Sequence, residues 1–107
     1  AKNSFRLLVM RTVEIVAKLE SLRPKFEAEG VEHLAIFGSR ARGDHTESSD
    51  LDLLIDAAPS RKFSILNLVG VEHIVADSTG LPANAFMRRS LDASFKRSIS
   101  SEIVEIF

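Results

Sequence analysis

Two short apolar runs joined by a polar segment constrain this chain more than any other feature. His33 to Phe37 leads directly into Gly38, and Leu51 to Ala57 is soon followed by Pro59. Apolar runs of this length, bounded by glycine and proline, are typical of strands rather than helices. Residues 44–49 between them are entirely polar and predict an exposed loop. The fold is therefore expected to form around two buried strands.

A helix is predicted ahead of the first strand, over residues 4–22. Apolar side chains recur there at the i, i+3 and i+4 spacing that places them on one helix face. Pro24 ends or kinks this helix, because proline lacks an amide donor and disfavours helix in the residue before it. A further turn is expected to run to Gly30. The predicted face consists of Phe5, Leu8, Val9, Val13, Val16 and Leu19.

The C-terminal half predicts a helix, a strand and a second helix. Ser64 is a suitable N-cap for a helix that runs to Thr79, with Gly80 just past its end. Ala83 to Arg88 predicts a third strand. This element order indicates an α/β or α+β fold, in a single domain that covers residues 1–107. The last predicted helix carries an apolar face of Phe95, Ile99, Ile103 and Ile106.

Charge and composition exclude several classes of function. Fourteen basic residues stand against fifteen acidic ones, whereas general binders of nucleic acid or membrane surfaces carry a basic excess. The chain has no cysteine, which excludes disulfides, thiolate metal sites and a cysteine nucleophile. A secreted domain of this size would often need disulfides, so the cytoplasm is the expected location. No apolar run approaches the ~20 residues of a membrane span.

Two aspartates open the second predicted strand. Because side chains alternate between the two faces of a strand, Asp50 and Asp52 share one face, and Leu51 and Leu53 share the other. Adjacent carboxylates resist joint ionisation, and a divalent cation between them removes that penalty. Mg²⁺ commonly takes one or two protein carboxylates, together with water and substrate phosphates. The pattern indicates a magnesium site; the alternative is a strand entry with two solvated charges.

A glycine turn follows the first predicted strand. Gly38 allows a sharp turn and lets a ligand approach the backbone. Ser39 offers a hydroxyl and an amide where a helical turn would begin, a position that suits phosphate, and Arg40 and Arg42 add positive charge. A phosphate site beside paired carboxylates is typical of sites for a metal-bound nucleoside triphosphate. Taken singly, the Gly-Ser pair is also explained as a turn, and the arginines as surface ion-pair partners of the aspartates.

The combined motif resembles that of the DNA polymerase beta-type nucleotidyltransferase superfamily. Gly38-Ser39, ten residues and then Asp50-x-Asp52 is the spacing of that signature. The form Gly-Ser-Arg-Ala-Arg-Gly followed by Ser-Asp-Leu-Asp-Leu-Leu-Ile-Asp is similar to the minimal nucleotidyltransferases. The resemblance implies a small mixed β-sheet with helices packed mainly on one face. It also implies that Gly38 and Ser39 hold the triphosphate of ATP and that Asp50 and Asp52 bind Mg²⁺.

One position departs from the family pattern. The family places a third carboxylate on the strand after the long helix, and alignment through Arg88–Leu91 sets Asn84 at that position. An amide binds a metal weakly and cannot take up a proton at neutral pH. The departure therefore bears on catalysis more than on nucleotide binding. If the alignment has slipped, Asp77 or Asp92 is the third acid, although neither lies within an apolar strand pattern.

Two other polar residues are weaker candidates. His45 lies in the predicted loop between the two halves of the motif, from which it could reach a nucleotide. Asp56 shares the strand face of Asp50 and is interpreted either as a turn former or as a support for the site. The three histidines do not have the spacing of zinc ligands.

The resemblance implies a partner as well as an activity. Minimal members are commonly encoded beside a small helical HEPN protein, a toxin, and some add AMP to a toxin tyrosine. We therefore expect an antitoxin-type enzyme that transfers AMP from Mg-ATP to that partner, with no membrane or direct nucleic-acid binding and with self-association as a further expectation. The first alternative is an impaired member that neutralises its partner by binding alone, which Asn84 favours. The second is a free-standing transferase for a small molecule, which the lack of an acceptor domain disfavours.

Overall fold

One mixed four-stranded sheet organises the protein in a computed structural model that describes residues 11–107. Its strands are β1 (Val31–Phe37), β2 (Leu51–Ala57), β3 (Ala83–Met87) and β4 (Val104–Glu105). The strand order is β3-β2-β1-β4. β1 pairs antiparallel with both β2 and β4, and β2 pairs parallel with β3. The mixed sheet that the family resemblance implies is confirmed.

Five α-helices accompany the sheet within the described residues. They are α1 (Thr12–Ser21), α2 (Arg23–Ala28), α3 (Ser39–Arg42), α4 (Ile65–Thr79) and α5 (Ala93–Ile99). A 3-10 turn at Arg88–Ser90 follows β3. None of the helices in this part of the chain is long and apolar enough to cross a membrane.

The long helix α4 forms as the sequence predicts. Ser64 is extended at the N-cap, and its backbone amide donates to the Asn67 side chain at 3.0 Å. Gly80 ends the helix in the left-handed region at φ 75°, where glycine carries no steric penalty. Strong local signals at both ends therefore set the length of this helix.

The first described helix begins at Thr12, and one residue of its predicted apolar face is exposed. Arg11 is extended at the N-cap, so α1 begins at Thr12, and residues 4–10 of the prediction lie outside the described residues. Of the predicted face, Leu19 is buried and Val16 packs against the core, whereas Val13 is 66% exposed and Ile15, which was not predicted, is buried. Pro24 separates α1 from α2 as predicted, because it lies in the first turn of α2, where a missing amide donor costs little.

The prediction of a final amphipathic helix is wrong over the second half of that segment. α5 ends at Ile99, and residues 104–105 form β4 along the edge of β1. The segment is rich in β-branched side chains, which suit a strand. The Ile106 amide donates to the Leu34 carbonyl at 2.8 Å, and the Leu34 amide donates to the Phe107 carbonyl at 3.2 Å. Pairing with an open strand edge thus overrides the helical spacing of the apolar residues.

The two faces of the sheet are covered unequally. One face packs against α1, α2 and α4 to form the main core. The other is covered by a small cluster in which Ile99 of α5 packs against Phe37 and Leu54. Helices therefore lie mainly on one face, as expected, and the thinly covered face is the one that carries Asp52. The main core includes Ile15, Leu19, Phe26, Leu34, Ile36, Leu53, Ile55, Val71 and Val75.

Candidate functional site

Parallel pairing of β2 with β3 brings the two aspartates together with Asn84. The register sets Asp52 opposite Asn84. The Asn84 side-chain amide donates to Oδ2 of Asp50 at 2.9 Å and to Oδ1 of Asp52 at 3.4 Å. Glu72 of α4 accepts a hydrogen bond from the Ala85 amide at 2.8 Å, which fixes β3 beside this cluster. The structure therefore groups all three residues that the sequence motif and its alignment single out.

The two alternative acids lie elsewhere. Asp77 lies in the last turns of α4. Asp92 is the N-cap of α5, and its side chain accepts a hydrogen bond from the Phe95 amide at 2.8 Å. Neither residue lies on β3, where Asn84 faces the aspartates.

Asp52 is the more buried member of the carboxylate pair. Burial raises its pKa above the ordinary value, since an ionised carboxylate loses hydration there. The hydrogen bond from Asn84 acts in the opposite direction, and the negative charges of Asp50 and Glu102 raise the pKa further. The surroundings of Asp52 therefore disfavour its ionised form in the metal-free protein.

The donor set fits Mg²⁺. The described residues contain no group of three or more His, Asp or Glu side chains able to hold a metal ion. Asp50 and Asp52 supply two carboxylates, which matches the one or two that Mg²⁺ commonly takes from a protein. Asn84 presents its NH₂ group to both carboxylates, and rotation of that amide would present its oxygen to a cation. Two anionic ligands and one neutral ligand are thus available.

Gly38 turns the chain sharply at the end of β1. Its φ is 80°, in the region that glycine adopts readily and other residues do not. A Cβ atom at this position would lie 2.5 Å from Oδ2 of Asp52, closer than real Cβ contacts allow. The Gly38 turn therefore packs directly against the carboxylate of Asp52, with no space for a side chain between them.

A shallow cleft of about 370 Å³ opens beside this turn. Ser39 begins the short helix α3 at its edge and is half-buried. Phe95 and Ile99 of α5 form the apolar wall of the cleft. The polar side of the cleft consists of Gly38, Ser39, Arg42, Asp52, Ser98 and Glu102.

Arg40 lies inside the protein rather than on the surface of the cleft. Its side chain is fully buried, at 0% exposure. The guanidinium donates to the carbonyl of Ser49 at 3.1 Å and to that of Thr46 at 3.2 Å. Burial lowers the pKa of this guanidinium, and the negative charge of Asp50 opposes that effect. The sequence motif predicts a nucleotide contact for Arg40, whereas the structure engages it with the carbonyls of the loop that leads to Asp50.

Arg42 is exposed at the mouth of the cleft. It donates to Oδ2 of Asp44 at 3.1 Å and to Oε2 of Glu102 at 3.0 Å. The hydrogen bond to Asp44 makes the larger contribution to a raised pKa of Arg42, and the hydrogen bond to Glu102 adds to it. Arg42 therefore keeps its positive charge. Of the two predicted arginines, this is the one whose charge faces the cleft.

Glu102 is the residue of the site that sequence reasoning missed. Its carboxylate accepts a hydrogen bond from the Gly38 amide at 2.6 Å, in addition to the one from Arg42. One continuous C-terminal helix, as predicted, would place this segment away from the glycine turn. Recognition of a strand at residues 104–105 would have brought Glu102 next to the glycine turn.

The two weaker candidates lie outside the cleft beside Gly38. Asp56 forms an ion pair with Arg88 at 3.0 Å towards the far end of β2. His45 lines a separate depression with Arg11 and Gly43.

The fold and its paired carboxylates define a nucleotidyltransferase-type protein, and comparison with known sequences gives the family. The nucleotidyltransferase domain family model matches residues 14–106. The chain therefore belongs to the nucleotidyltransferase domain family, as the sequence motif predicts.

Named relatives cover most of the chain. Protein adenylyltransferase MntA of Thermococcus cleftensis is 28% identical over 102 residues, which are 94% of this chain and 98% of the relative. A Methanocaldococcus jannaschii protein with a provisional protein adenylyltransferase name is 32% identical over 88 residues, covering 81% of this chain and 85% of the relative.

Solved structures have the same fold. A chain provisionally described as a minimal nucleotidyltransferase is 28% identical with a TM-score of 0.61, covering 81% of this chain and 94% of that one. A chain from the crystal structure of a toxin–antitoxin with AMP-PNP has a TM-score of 0.64 at 14% identity, covering 82% of this chain and 72% of that one. At 14% identity the likeness shows the fold alone.

Proposed function

We propose that the protein is an antitoxin-type nucleotidyltransferase that transfers AMP from Mg-ATP to a hydroxyl group, a tyrosine, of a helical HEPN-type partner toxin in the cytoplasm. One observation carries the chemical part: Asp50 and Asp52 converge beside the Gly38 turn, with Asn84 between them. The name of the Thermococcus relative and the toxin–antitoxin neighbour support the choice of a protein acceptor.

In the proposed site Asp50 and Asp52 hold Mg²⁺, with Asn84 as a neutral neighbour. The bound metal would neutralise charge on the phosphates and on the departing pyrophosphate. Burial of Asp52 raises its pKa, so a cation relieves an unfavourable charge that the apo protein carries. This favours binding of metal and nucleotide together over binding of free ATP.

The glycine turn holds the triphosphate in this proposal. Ser39 and Arg42 line the same cleft as Asp52, so the Ser39 amide and hydroxyl and the Arg42 guanidinium are the groups proposed to bind phosphate. The acceptor hydroxyl loses its proton to water as its oxygen attacks the α-phosphorus, a phosphodiester bond to AMP forms, and the bond from the α-phosphorus to pyrophosphate breaks. In-line displacement of this kind gains chiefly from positioning and electrostatic stabilisation. Arg40 serves the site indirectly, since it holds the loop that delivers Asp50.

Asn84 favours a second candidate function, inhibition of the partner by binding alone. Its amide donates hydrogen bonds where a third carboxylate would accept a proton or bind a metal. Without that acid, removal of the acceptor proton is slow, and nucleotide binding can persist without efficient transfer. The two candidates share the fold and the partner and differ in turnover.

Exposed apolar side chains on α4 support the proposed partner. Leu66 is 79% exposed and Ile65 is 70% exposed, at the start of the helix. Phe86 is exposed on β3, two residues beyond Asn84 and on the same strand face. We define Ile65, Leu66 and Phe86 as the α4–β3 apolar surface. A partner that covers it would lie next to the carboxylates, with an acceptor hydroxyl within reach of the site.

Incubation with α-labelled ATP, Mg²⁺ and a candidate HEPN-type partner protein tests the proposal. Label on a tyrosine of that protein, lost in Asp50→Asn, supports transfer. A stable complex without label supports binding alone. Label on neither protein, together with no complex, would overturn both candidates.

A further inference from the structure

Glu102 binds two residues of the site that lie 64 and 60 residues before it in the chain. Its Oε2 atom accepts a hydrogen bond from the Gly38 amide at 2.6 Å and another from Nη1 of Arg42 at 3.0 Å. The side chain of Glu102 is only 14% exposed. Hydrogen bonds to a charged carboxylate are shorter and stronger than those between neutral groups.

The sheet explains why Glu102 reaches this position. In the β1–β4 ladder, Ala35 pairs with Glu105 and Ile36 pairs with Val104. Continued for two more residues, the same register sets Gly38 opposite Glu102. β4 begins only at Val104, and the Gly38 amide donates to the Glu102 carboxylate. The carboxylate thus stands where a longer strand would offer Gly38 a backbone carbonyl.

Gly38 is held from two sides as a result. Asp52 lies against its Cα, where no side chain fits, and Glu102 binds its amide. Gly38 is buried, and its amide has the Glu102 carboxylate as its acceptor, so removal of Glu102 would leave that amide without this partner. A glycine at positive φ has many other accessible conformations, and the two carboxylates restrict it to one.

We infer that Glu102 is a positioning residue for the nucleotide: it fixes the Gly38–Ser39 turn and points Arg42 towards the cleft before the triphosphate binds. The inference rests on the proposed function and adds to it a residue from the C-terminal segment. Glu102 does not contact the reacting atoms in this role. Arg42 and the Gly38 amide compensate the negative charge of Glu102. The stabilisation of the turn by Glu102 therefore outweighs the repulsion between Glu102 and the triphosphate.

Two substitutions separate this role from a merely structural one. Glu102→Ala removes both hydrogen bonds, whereas Glu102→Gln retains an oxygen that can accept from Gly38. Glu105→Gln is the matched control, because Glu105 lies on β4 and pairs with Arg88, outside the cleft. We expect Glu102→Ala to weaken Mg-ATP binding about 10-fold, which corresponds to about 1.4 kcal/mol. Glu102→Gln should recover most of that loss, and Glu105→Gln should bind as the wild type does.

The affinity for AMP and the hydrogen-exchange rate of the Gly38 amide are two independent measurements of this role. AMP lacks the β- and γ-phosphates, so its affinity should change by less than about twofold in Glu102→Ala. Hydrogen exchange of the Gly38 amide should accelerate in Glu102→Ala and remain slow in Glu102→Gln and Glu105→Gln. If Glu102→Ala does not fold, Glu102→Leu, which keeps the side-chain volume and also removes both hydrogen bonds, is measured in its place with the same expected losses.

The outcomes are distinguishable. Equal Mg-ATP affinity in the wild type and Glu102→Ala, with unchanged exchange at Gly38, overturns the inference and leaves the proposed function intact. Tighter Mg-ATP binding by Glu102→Ala also overturns it, since Glu102 would then compete with the triphosphate. If the wild type does not bind Mg-ATP at all, the proposed function fails, and with it the nucleotide-positioning role of Glu102.

Discussion

The carboxylate of Asp52 occupies the space that a side chain at position 38 would need. A Cβ atom on Gly38 would lie 2.5 Å from Oδ2 of Asp52, and Gly38 also has a φ of 80°. The last residue before α3 and the second residue of β2 are thus fitted to each other. The Gly-Ser and Asp-x-Asp halves of the motif form one structural unit, although ten residues separate them in the chain.

Gly38→Ala is expected to disrupt both stability and the site. The added methyl group forces Asp52 away and places alanine in a strained backbone region, at a combined cost of about 2–4 kcal/mol. Mg-ATP binding should be lost because the turn and Asp52 both move. Gly43→Ala is the matched control, since Gly43 also has positive φ, at 85°, with nothing within 4 Å of its Cβ position. It should cost about 1–2 kcal/mol and keep nucleotide binding. Denaturant unfolding and calorimetric titration check both; equal effects of the two variants would contradict the role of the close contact.

Asp52→Asn is expected to stabilise the metal-free protein at neutral pH. Burial raises the folded-state pKa of Asp52 above the ordinary 3.8, so its stabilising contribution is present below 3.8 and is lost as the pH rises through the folded-state pKa. The variant should therefore have the higher melting temperature at pH 7, with the difference closing as the pH falls below 3.8. Mg²⁺ should raise the melting temperature of the wild type and not that of the variant.

Asp56→Asn provides the control for that pH dependence. Asp56 lies on the same strand face but forms an ion pair with Arg88 at 3.0 Å, so its replacement should not stabilise the protein. Thermal melts from pH 3 to pH 8, with and without Mg²⁺, make the comparison. A lower melting temperature of metal-free Asp52→Asn at pH 7 would contradict the expected sign.

Asn84→Asp is expected to lower the stability of the metal-free protein and to raise the rate of transfer. It replaces an amide that donates to Asp50 and Asp52 with a third negative charge. The metal-free variant should lose about 1–3 kcal/mol and depend more strongly on Mg²⁺. A base at this position should raise the transfer rate ~10²–10⁴-fold. Asn84→Ala, which removes the hydrogen bonds without adding charge, should lose stability and gain no rate. Brisk transfer by the wild type with no gain in Asn84→Asp would redirect the search for the third acid to Asp77 and Asp92.

Arg40→Ala is expected to act on stability, and Arg42→Ala on nucleotide affinity. Arg40 is fully buried and satisfies carbonyls of the loop that precedes Asp50, so its loss should cost about 2–4 kcal/mol. Arg42 is exposed, and its removal should change the free energy of unfolding little while weakening Mg-ATP binding. Denaturant unfolding, together with limited proteolysis at residues 44–49, distinguishes the two. Equal loss of nucleotide affinity without loss of stability in both variants would assign Arg40 to the nucleotide instead.

The parts of the fold that the sequence predicted are those with strong local signals. The bounds of β2 and the capped ends of α4 follow from residues within or next to those elements. β4 was missed because its two residues become a strand only through pairing with β1, far away in the chain. The buried position of Arg40 has the same origin, since the loop carbonyls that bind it come into place only when the chain folds. Glu102 depends on β4, so the error in the last helix also concealed a residue of the site.

Leu66→Glu is expected to weaken association without unfolding the protein. Leu66 is 79% exposed within the α4–β3 apolar surface, so a charge there has little effect on the core but removes apolar contact with a partner. Val13→Glu is the matched control, because Val13 is 66% exposed and lies beside Gly43 and His45. Sedimentation of each variant, alone and with the candidate HEPN-type partner protein, measures the effect. The wild type and Val13→Glu should form the complex, and Leu66→Glu should bind the partner more weakly. Unchanged partner binding by Leu66→Glu would place the interface outside this surface, and equal weakening by both substitutions would show that the effect is not specific to it. A wild-type monomer that ignores the HEPN-type protein would remove the antitoxin role, and a dimer of the wild type alone that Leu66→Glu dissolves would assign the surface to self-association.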